Sequence, residues 1–164
     1  MRVSNLQIRD VGYQHPDAAL LIEQVQAEYV QLYGGPDDAP VDPVQFREPS
    51  GVFAVGYLDG VPVAMGGWRL HEPGKPETKW ADPVAEIKRM YVTEAARGAG
   101  FARQTLTFLE RTAAERGVRW LLLETGSKQP EAIALYLSAG YLEVPPFGHY
   151  AETALSVHLG KRVG

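Results

Sequence analysis

The sequence predicts one mixed α/β domain, a β-sheet with helices packed against it. Three observations lead there. The 164 residues fit a single domain and are enough to bury a core without disulfide staples. The composition is that of a globular protein, 45% hydrophobic, 22% charged and 10% aromatic. The hydrophobic pattern changes period along the chain in the order βα, ββ, β, α, β, α, ββ, with no repeat, linker or low-complexity stretch.

Each element has its own signal. Val3, Leu6 and Ile8 sit among polar neighbours and predict a first strand. Asp17 is a candidate cap for a helix with Leu21, Ile22, Val25, Tyr29 and Leu32 on its apolar face, and Gly34-Gly35 ends it. Residues 36–50, rich in Pro and Asp, read as a loop with room for one helical turn. Gly51–Leu58 and Val61–Leu70 are β-rich runs joined by Asp59-Gly60, a pair that tolerates positive φ, so they predict a hairpin. A polar loop over 71–82 precedes a strand over 84–92. A long helix begins near Gly100, with Ala102, Leu106, Leu109, Ala113 and Ala114 on one side, and Gly117 stops it. Trp120–Glu124 is short and nearly all apolar, as a strand buried on both faces would be. Pro130 suits the first turn of a helix running to about Ala139 and closed by Gly140. Strands over 141–144 and 154–159 follow.

Composition also excludes chemistries. The formal net charge of -4 speaks against a general nucleic-acid binder, which needs a basic face to neutralise phosphates. The absence of cysteine removes thiol catalysis, disulfides and cysteine-ligated metals, and makes a cytoplasmic location the default expectation. The first ten residues mix charged and apolar positions, unlike a secretory signal, and no run approaches the ~18 apolar residues of a membrane span. His15, His71, His149 and His158 show no metal-ligand spacing, so no metal is expected.

The segment Arg97-Gly98-Ala99-Gly100-Phe101-Ala102 lies between a strand and the long helix. Glycines there let the backbone approach a ligand, and a helix start offers unpaired N–H groups at a positive dipole end. A diphosphate wants that environment, with Arg97 and Arg103 able to add charge-assisted contacts. Glycines that merely start a helix packed close to a strand would leave the same trace.

Context sharpens the choice. The strand Glu86-Ile87-Lys88-Arg89-Met90-Tyr91-Val92 comes before, and Leu121-Leu122-Leu123-Glu124-Thr125 and then Gln129 to Tyr141 come after. This array resembles the GCN5-related N-acetyltransferase (GNAT) family, in the two motifs its members use to hold acetyl-CoA. The resemblance covers about Glu86 to Tyr141; the first half of the chain is similar only in element order. It implies a mostly antiparallel sheet of six to seven strands with a splayed central parallel pair and flanking helices. Met90, Tyr91 and Val92 are then expected to pair with the pantetheine arm. The loop Arg97, Gly98, Ala99, Gly100, Phe101, Ala102 and Arg103 corresponds to the pyrophosphate cradle. Gln129 stands where many members have asparagine; it keeps the amide on a longer arm.

Tyr136 occupies the position of the family's general acid; a phenol, with a reference pKa of about 10, is protonated at neutral pH and can reprotonate departing CoA. Its spacing alone favours a core tyrosine packed with Ile133 and Leu137, and it is the resemblance that turns the reading toward catalysis. Glu124 matches a glutamate that serves some members as base, and Glu86 is its rival. The backbone N–H near Tyr91 is the expected oxyanion donor. Trp68, Trp80, Tyr29 and Tyr33 are candidates for the acceptor side, as is His149 in the loop Pro145–Tyr150. The acidic trio Asp37, Asp38 and Asp42 suits a cationic acceptor or simply a solvated loop. The resemblance thus implies an acetyl-CoA-dependent N-acetyltransferase acting on a primary amine by direct attack, with no nucleic acid or membrane partner and a possible homodimer. A non-catalytic acyl-CoA sensor on the same fold is the alternative.

Overall fold

The structure, a computed structural model, describes residues 5–71 and 83–164. Strand β1 (Gln7–Asp10) leads to helix α1 (Pro16–Tyr33), a 3-10 turn (Pro43–Phe46), and the hairpin β2 (Gly51–Leu58) and β3 (Val61–Leu70). Strand β4 (Val84–Val92), a short 3-10 turn (Glu94–Ala96), α2 (Phe101–Glu115), β5 (Trp120–Gly126), α3 (Pro130–Ser138), β6 (Leu142–Glu143) and β7 (Ser156–Arg162) follow. Seven strands form one sheet in the order β1-β2-β3-β4-β5-β7-β6. Among the described residues only β4 and β5 pair in parallel; the other neighbours are antiparallel.

The local signals hold with instructive exceptions. The hairpin turns where Asp59 and Gly60 both adopt positive φ, 50° and 80°, the geometry a two-residue turn between twisted strands requires. Helix α1 starts two residues earlier than a cap at Asp17 suggests: Pro16, with φ already fixed, takes the first helical position, and His15 Nδ1 accepts from the Asp17 N–H at 3.0 Å. The Asp17 carboxylate instead accepts from the Tyr57 hydroxyl at 2.6 Å, tying α1 to β2. Of the residues expected in the first strand, Val3 lies outside the described residues, Leu6 precedes β1, and Ile8 lies within it opposite Gly56. Strand β7 is displaced toward the C-terminus and pairs with the whole of β5.

Alternation across the sheet makes two cores. On one face α2 and α3 cover Val52, Ala54, Trp68, Ala85, Ile87, Leu121 and Leu123, joined by Leu106, Leu109, Tyr136 and Tyr141. On the other, α1 brings Ala18, Leu21 and Val25 against Phe53, Val55, Met65 and Phe46. Successive residues of β2 thus serve opposite faces, as period-two geometry demands.

The feature that positions the site is the short parallel pairing. It runs through Val84–Trp120, Ala85–Leu121 and Glu86–Leu122, and stops. Beyond Glu86 the two strands diverge, so main-chain groups of β4 and β5 face a gap instead of one another. That leaves polar backbone in search of partners.

Candidate active site

Strand β4 carries a second irregularity inside the gap. Its register with β3 slips between Met65–Tyr91 and Gly67–Lys88, where the single residue Gly66 on β3 faces two on β4, Arg89 and Met90. The extra residue is absorbed by a bulge in which Arg89 takes φ 60°, an uncommon conformation for a non-glycine residue. Gly66 makes room opposite: a Cβ there would meet Met90 Sδ at 2.5 Å. The bulge re-aims consecutive side chains, so that Lys88, Arg89 and Met90 all line one cavity.

Two cavities meet at the splay. The larger, about 830 Å³, runs from Met90, Tyr91 and Val92 past Gln129 to the start of α2, along Arg97, Gly98, Gly100, Phe101, Ala102 and Arg103. At its far end Gly98 and Gly100 hold φ 85° and 82°, and Gly100 caps α2 with no side-chain bond to the helix N–H groups. The first helical bond runs from Gln104 N to Gly100 O, leaving the preceding donors free for an anion. The Arg97 guanidinium is engaged elsewhere. It donates to the Val92 carbonyl at 3.0 Å and to Glu28 at 2.8 Å, and stacks on Tyr91. Arg103 is exposed at the mouth and donates to Ser138 Oγ at 2.5 Å. Lys128, which sequence reasoning missed, lines the same cavity beside Gln129. Ala99 is exposed and absent from the lining, so it serves the loop and not the wall.

The smaller cavity, about 320 Å³, lies between the end of α1, the diverging strands and the segment before β7. Tyr29, Met90, Gln129, Ala132 and Tyr136 border both cavities and mark their junction. Tyr136 is 5% exposed. Burial pushes its hydroxyl pKa well above the ordinary value, with Tyr29 and Glu124 adding to the effect, so it is held protonated. It packs edge-on to Tyr141 in the core that α2 covers, while Leu137 is exposed.

The two glutamates part company. Glu124 lines the smaller cavity, and burial raises its pKa; Asp37 and Glu86 push the same way, against a Ser156 hydrogen bond and Lys88. Glu86 lines neither cavity. Its carboxylate accepts from Arg69 at 3.0 Å, and although burial works against the charge, His71, Lys88 and Arg69 hold its pKa at about 2. A carboxylate held that acidic is a poor proton acceptor near neutrality.

The acidic trio does not act together. Asp37 turns inward and bonds Arg89, Tyr150 (2.6 Å) and Lys88 (3.4 Å). Those partners outweigh burial and hold its pKa at about 2. Asp38 sits at the rim with His149 at 3.1 Å, and Asp42 caps the 3-10 turn through Val44 N. Tyr29 and Tyr33 line the smaller cavity, and Gln129 Nε2 donates to the Tyr33 hydroxyl at 3.4 Å. Trp68 does not reach it: it is fully buried under α2 and donates to Thr112 at 3.0 Å. Trp80 falls outside the described residues. Lys88, Arg89 and Tyr150 were missed from the sequence. Lys88 and Arg89 are adjacent cations in a strand that also holds Glu86; they break period-two alternation, but that break does not by itself place a bulge. Among the described residues no cluster of His, Asp and Glu is arranged to hold a metal, and no helix is long and apolar enough to cross a membrane.

Comparison with known proteins places this geometry. The sequence profile of the Acetyltransferase (GNAT) family matches residues 21–141. The chain is 32% identical over 141 residues to an IAA acetyltransferase of Azospirillum brasilense, covering 86% of this chain and 87% of that one. Its fold is similar to that of an acyl-CoA N-acyltransferase of Klebsiella pneumoniae, with TM-score 0.78, 27% identity and coverage of 98% and 99%. A Salmonella typhimurium acetyltransferase crystallised with its cofactor acetyl-CoA shares the fold at TM-score 0.64 and 18% identity, covering 98% of this chain and 95% of that one.

Proposed function

The chain belongs to the GNAT acetyltransferase family, and from that premise we propose that it transfers acetyl from acetyl-CoA to a primary amine by direct attack in a ternary complex. One observation carries the reading. A long cavity ends at an uncapped helix start, a short one contains a carboxylate of raised pKa, and the two meet at a buried, protonated tyrosine.

The residues divide the labour. Gly98 and Gly100, with the first N–H groups of α2, suit the two linked phosphates, and Arg103 and Lys128 add positive charge at the same end. Met90 to Val92, unpaired toward β5, offer main-chain groups to the amide-bearing pantetheine arm, and Gln129 offers its side-chain amide. The chemistry supplied by acetyl-CoA is a carbonyl carbon activated by its bond to sulfur.

An alkylammonium, with a pKa near 10.4, is a non-nucleophile until it loses a proton. Glu124 takes that proton. The nitrogen then forms its bond to the acetyl carbon, and the backbone N–H near Tyr91, aimed by the bulge, steadies the negative oxygen. As the carbon–sulfur bond breaks, Tyr136 protonates the CoA sulfur, and the second proton leaving the nitrogen restores the phenol. Glu124 returns its proton to solvent, so each turnover releases one. No covalent enzyme intermediate is needed; cysteine is absent and no serine stands in a nucleophile motif.

Thiol release from acetyl-CoA, assayed with a broad panel of amines, tests the reading. Amine-dependent release with an acetylated product supports it. Uptake of acetyl-CoA without release for any amine overturns it in favour of a sensor on the same fold.

A further inference from the structure

The smaller cavity has a charge balance that bears on what it accepts, an inference resting on the acetyltransferase reading above. Five ionisable side chains other than tyrosines border it: Asp37, Asp38, Lys88, Arg89 and Glu124. Asp38 is at the rim, with its side chain 76% exposed and bonded to His149. Inside, one carboxylate, Asp37, serves two cations, since both Arg89 and Lys88 bond to the same Oδ2. The nearby Arg69–Glu86 pair is self-neutralising and stands outside the lining. With Glu124 ionised, the interior is neutral. Once Glu124 has taken a proton from the acceptor, one positive charge is left unbalanced.

The donors are also under-used. Lys88 is 10% exposed at its side chain, and among the described residues its ammonium has one hydrogen-bond partner, Asp37, at the long distance of 3.4 Å. An ammonium has three donors. Arg89 is 4% exposed, and among the described residues its buried Nε has no hydrogen-bond partner. Buried donors left unpaired are costly, so a ligand that satisfies them gains what the free protein lacks.

Register sets where such a ligand would lie. The parallel rungs end at Glu86–Leu122, and counting two residues onward along each strand brings Lys88 and Glu124 to corresponding positions across the splay. Both follow the even-numbered face, opposite Ile87 and Leu123, which join the α2 core. A base on one strand therefore faces a cation on the other, with Tyr136 at the junction between them and the larger cavity.

We infer that the acceptor is an amine that also carries a carboxylate, an amino acid or close analogue, its ammonium toward Glu124 and its carboxylate on Lys88 and the Arg89 edge. Such a zwitterion keeps the cavity neutral at every stage. It enters with no net charge, and when Glu124 takes its proton the remaining carboxylate balances Lys88. A plain amine or diamine enters with positive charge that no inner carboxylate except Glu124 can offset. The cavity volume of about 320 Å³ lies at the small end of ligand sites, in keeping with an acceptor of amino-acid size.

Matched acceptors decide the matter: L-methionine and L-tryptophan, each beside its carboxamide and its decarboxylated amine, assayed by thiol release with product mass. The expected result is a kcat/KM for the amino acids on the order of 10- to 100-fold above both partners, the range of a charge-assisted hydrogen bond. Lys88→Met should collapse that ratio toward one. Carboxamides or plain amines acetylated as well as the amino acids would overturn the inference while leaving the acetyltransferase reading intact, as would a ratio unaltered by Lys88→Met. Failure to acetylate any acceptor, with acetyl-CoA bound, would remove both.

Discussion

At the scale of single residues, a buried tyrosine and a half-buried glutamate carry the proposed chemistry, and their environments push them in useful directions. Burial keeps Tyr136 protonated through the whole physiological range, so it is always able to donate. Tyr136→Phe, which keeps the ring and its contact with Tyr141, should lower kcat on the order of 10²-fold or more while acetyl-CoA affinity stays within a few-fold; steady-state kinetics with a binding isotherm checks this. Glu124 has its pKa raised, chiefly by burial. Since the ionised form is the base, activity should fall as pH drops through that raised value. Glu124→Gln should cost on the order of 10²-fold in kcat/KM and erase this acidic limb from the pH profile. Much of the cavity lining is legible in the sequence, which singles out Tyr136 and Glu124 and points to Tyr29 and Tyr33 for the acceptor end. What stays hidden is partner choice. Nothing in Asp37-Asp38 says that the first turns inward to Lys88 and Arg89 while the second faces solvent, because that depends on contacts with β4 and Tyr150, far along the chain.

At the scale of elements, the cradle depends on the loop conformation before α2 more than on side chains. Gly100 holds φ 82° with open space around it, so a larger residue is opposed by backbone strain and not by a clash. A β-branched residue is the least tolerant of that region. Gly100→Val should therefore weaken acetyl-CoA binding at least tenfold and cost about 1–3 kcal/mol of stability, read by calorimetry and thermal melts. The helix itself is plain in the sequence, from the glycine before it to Gly117 after it. The bulge in β4 is not. It arises because β3 offers one residue, Gly66, where β4 has two, and such a count is invisible until the strands are paired. Arg97 teaches the same lesson: a basic residue in the right motif position is expected to meet phosphates, yet Glu28 on α1 and the Val92 carbonyl claim it.

At the scale of the whole molecule, the fold class and nearly every element follow from hydrophobic period and turn chemistry, because those signals are local. The strand order needs long-range pairing, above all the passage of β7 between β5 and β6. Charge pairing beneath the sheet contributes to global stability in a way that pH can expose. Glu86 has a pKa lowered from 4.5 to about 2 by His71, Lys88 and Arg69 in spite of burial. A carboxylate depressed on folding stabilises above its unfolded value and loses that contribution as pH falls toward the folded one. Glu86→Gln should thus destabilise by about 3 kcal/mol near neutrality, with the difference from wild type shrinking below pH 4.5 and largely gone near pH 2, measured by denaturant titration.

The three rungs between β4 and β5 divide the sheet into a four-stranded wing and a three-stranded wing hinged along a thin seam. Such an opening would ordinarily be a defect, since exposed main-chain polar groups invite either water or another strand. Here the seam is wedged apart by a bulge on one margin and guarded by helices on one flank, so the natural occupant is something shaped like a slim peptide yet incapable of extending the sheet further. A cofactor with amide groups along a flexible arm meets that description, and by filling the cleft it would stitch the two wings together. Recognition of the donor and completion of the sheet would then be a single event.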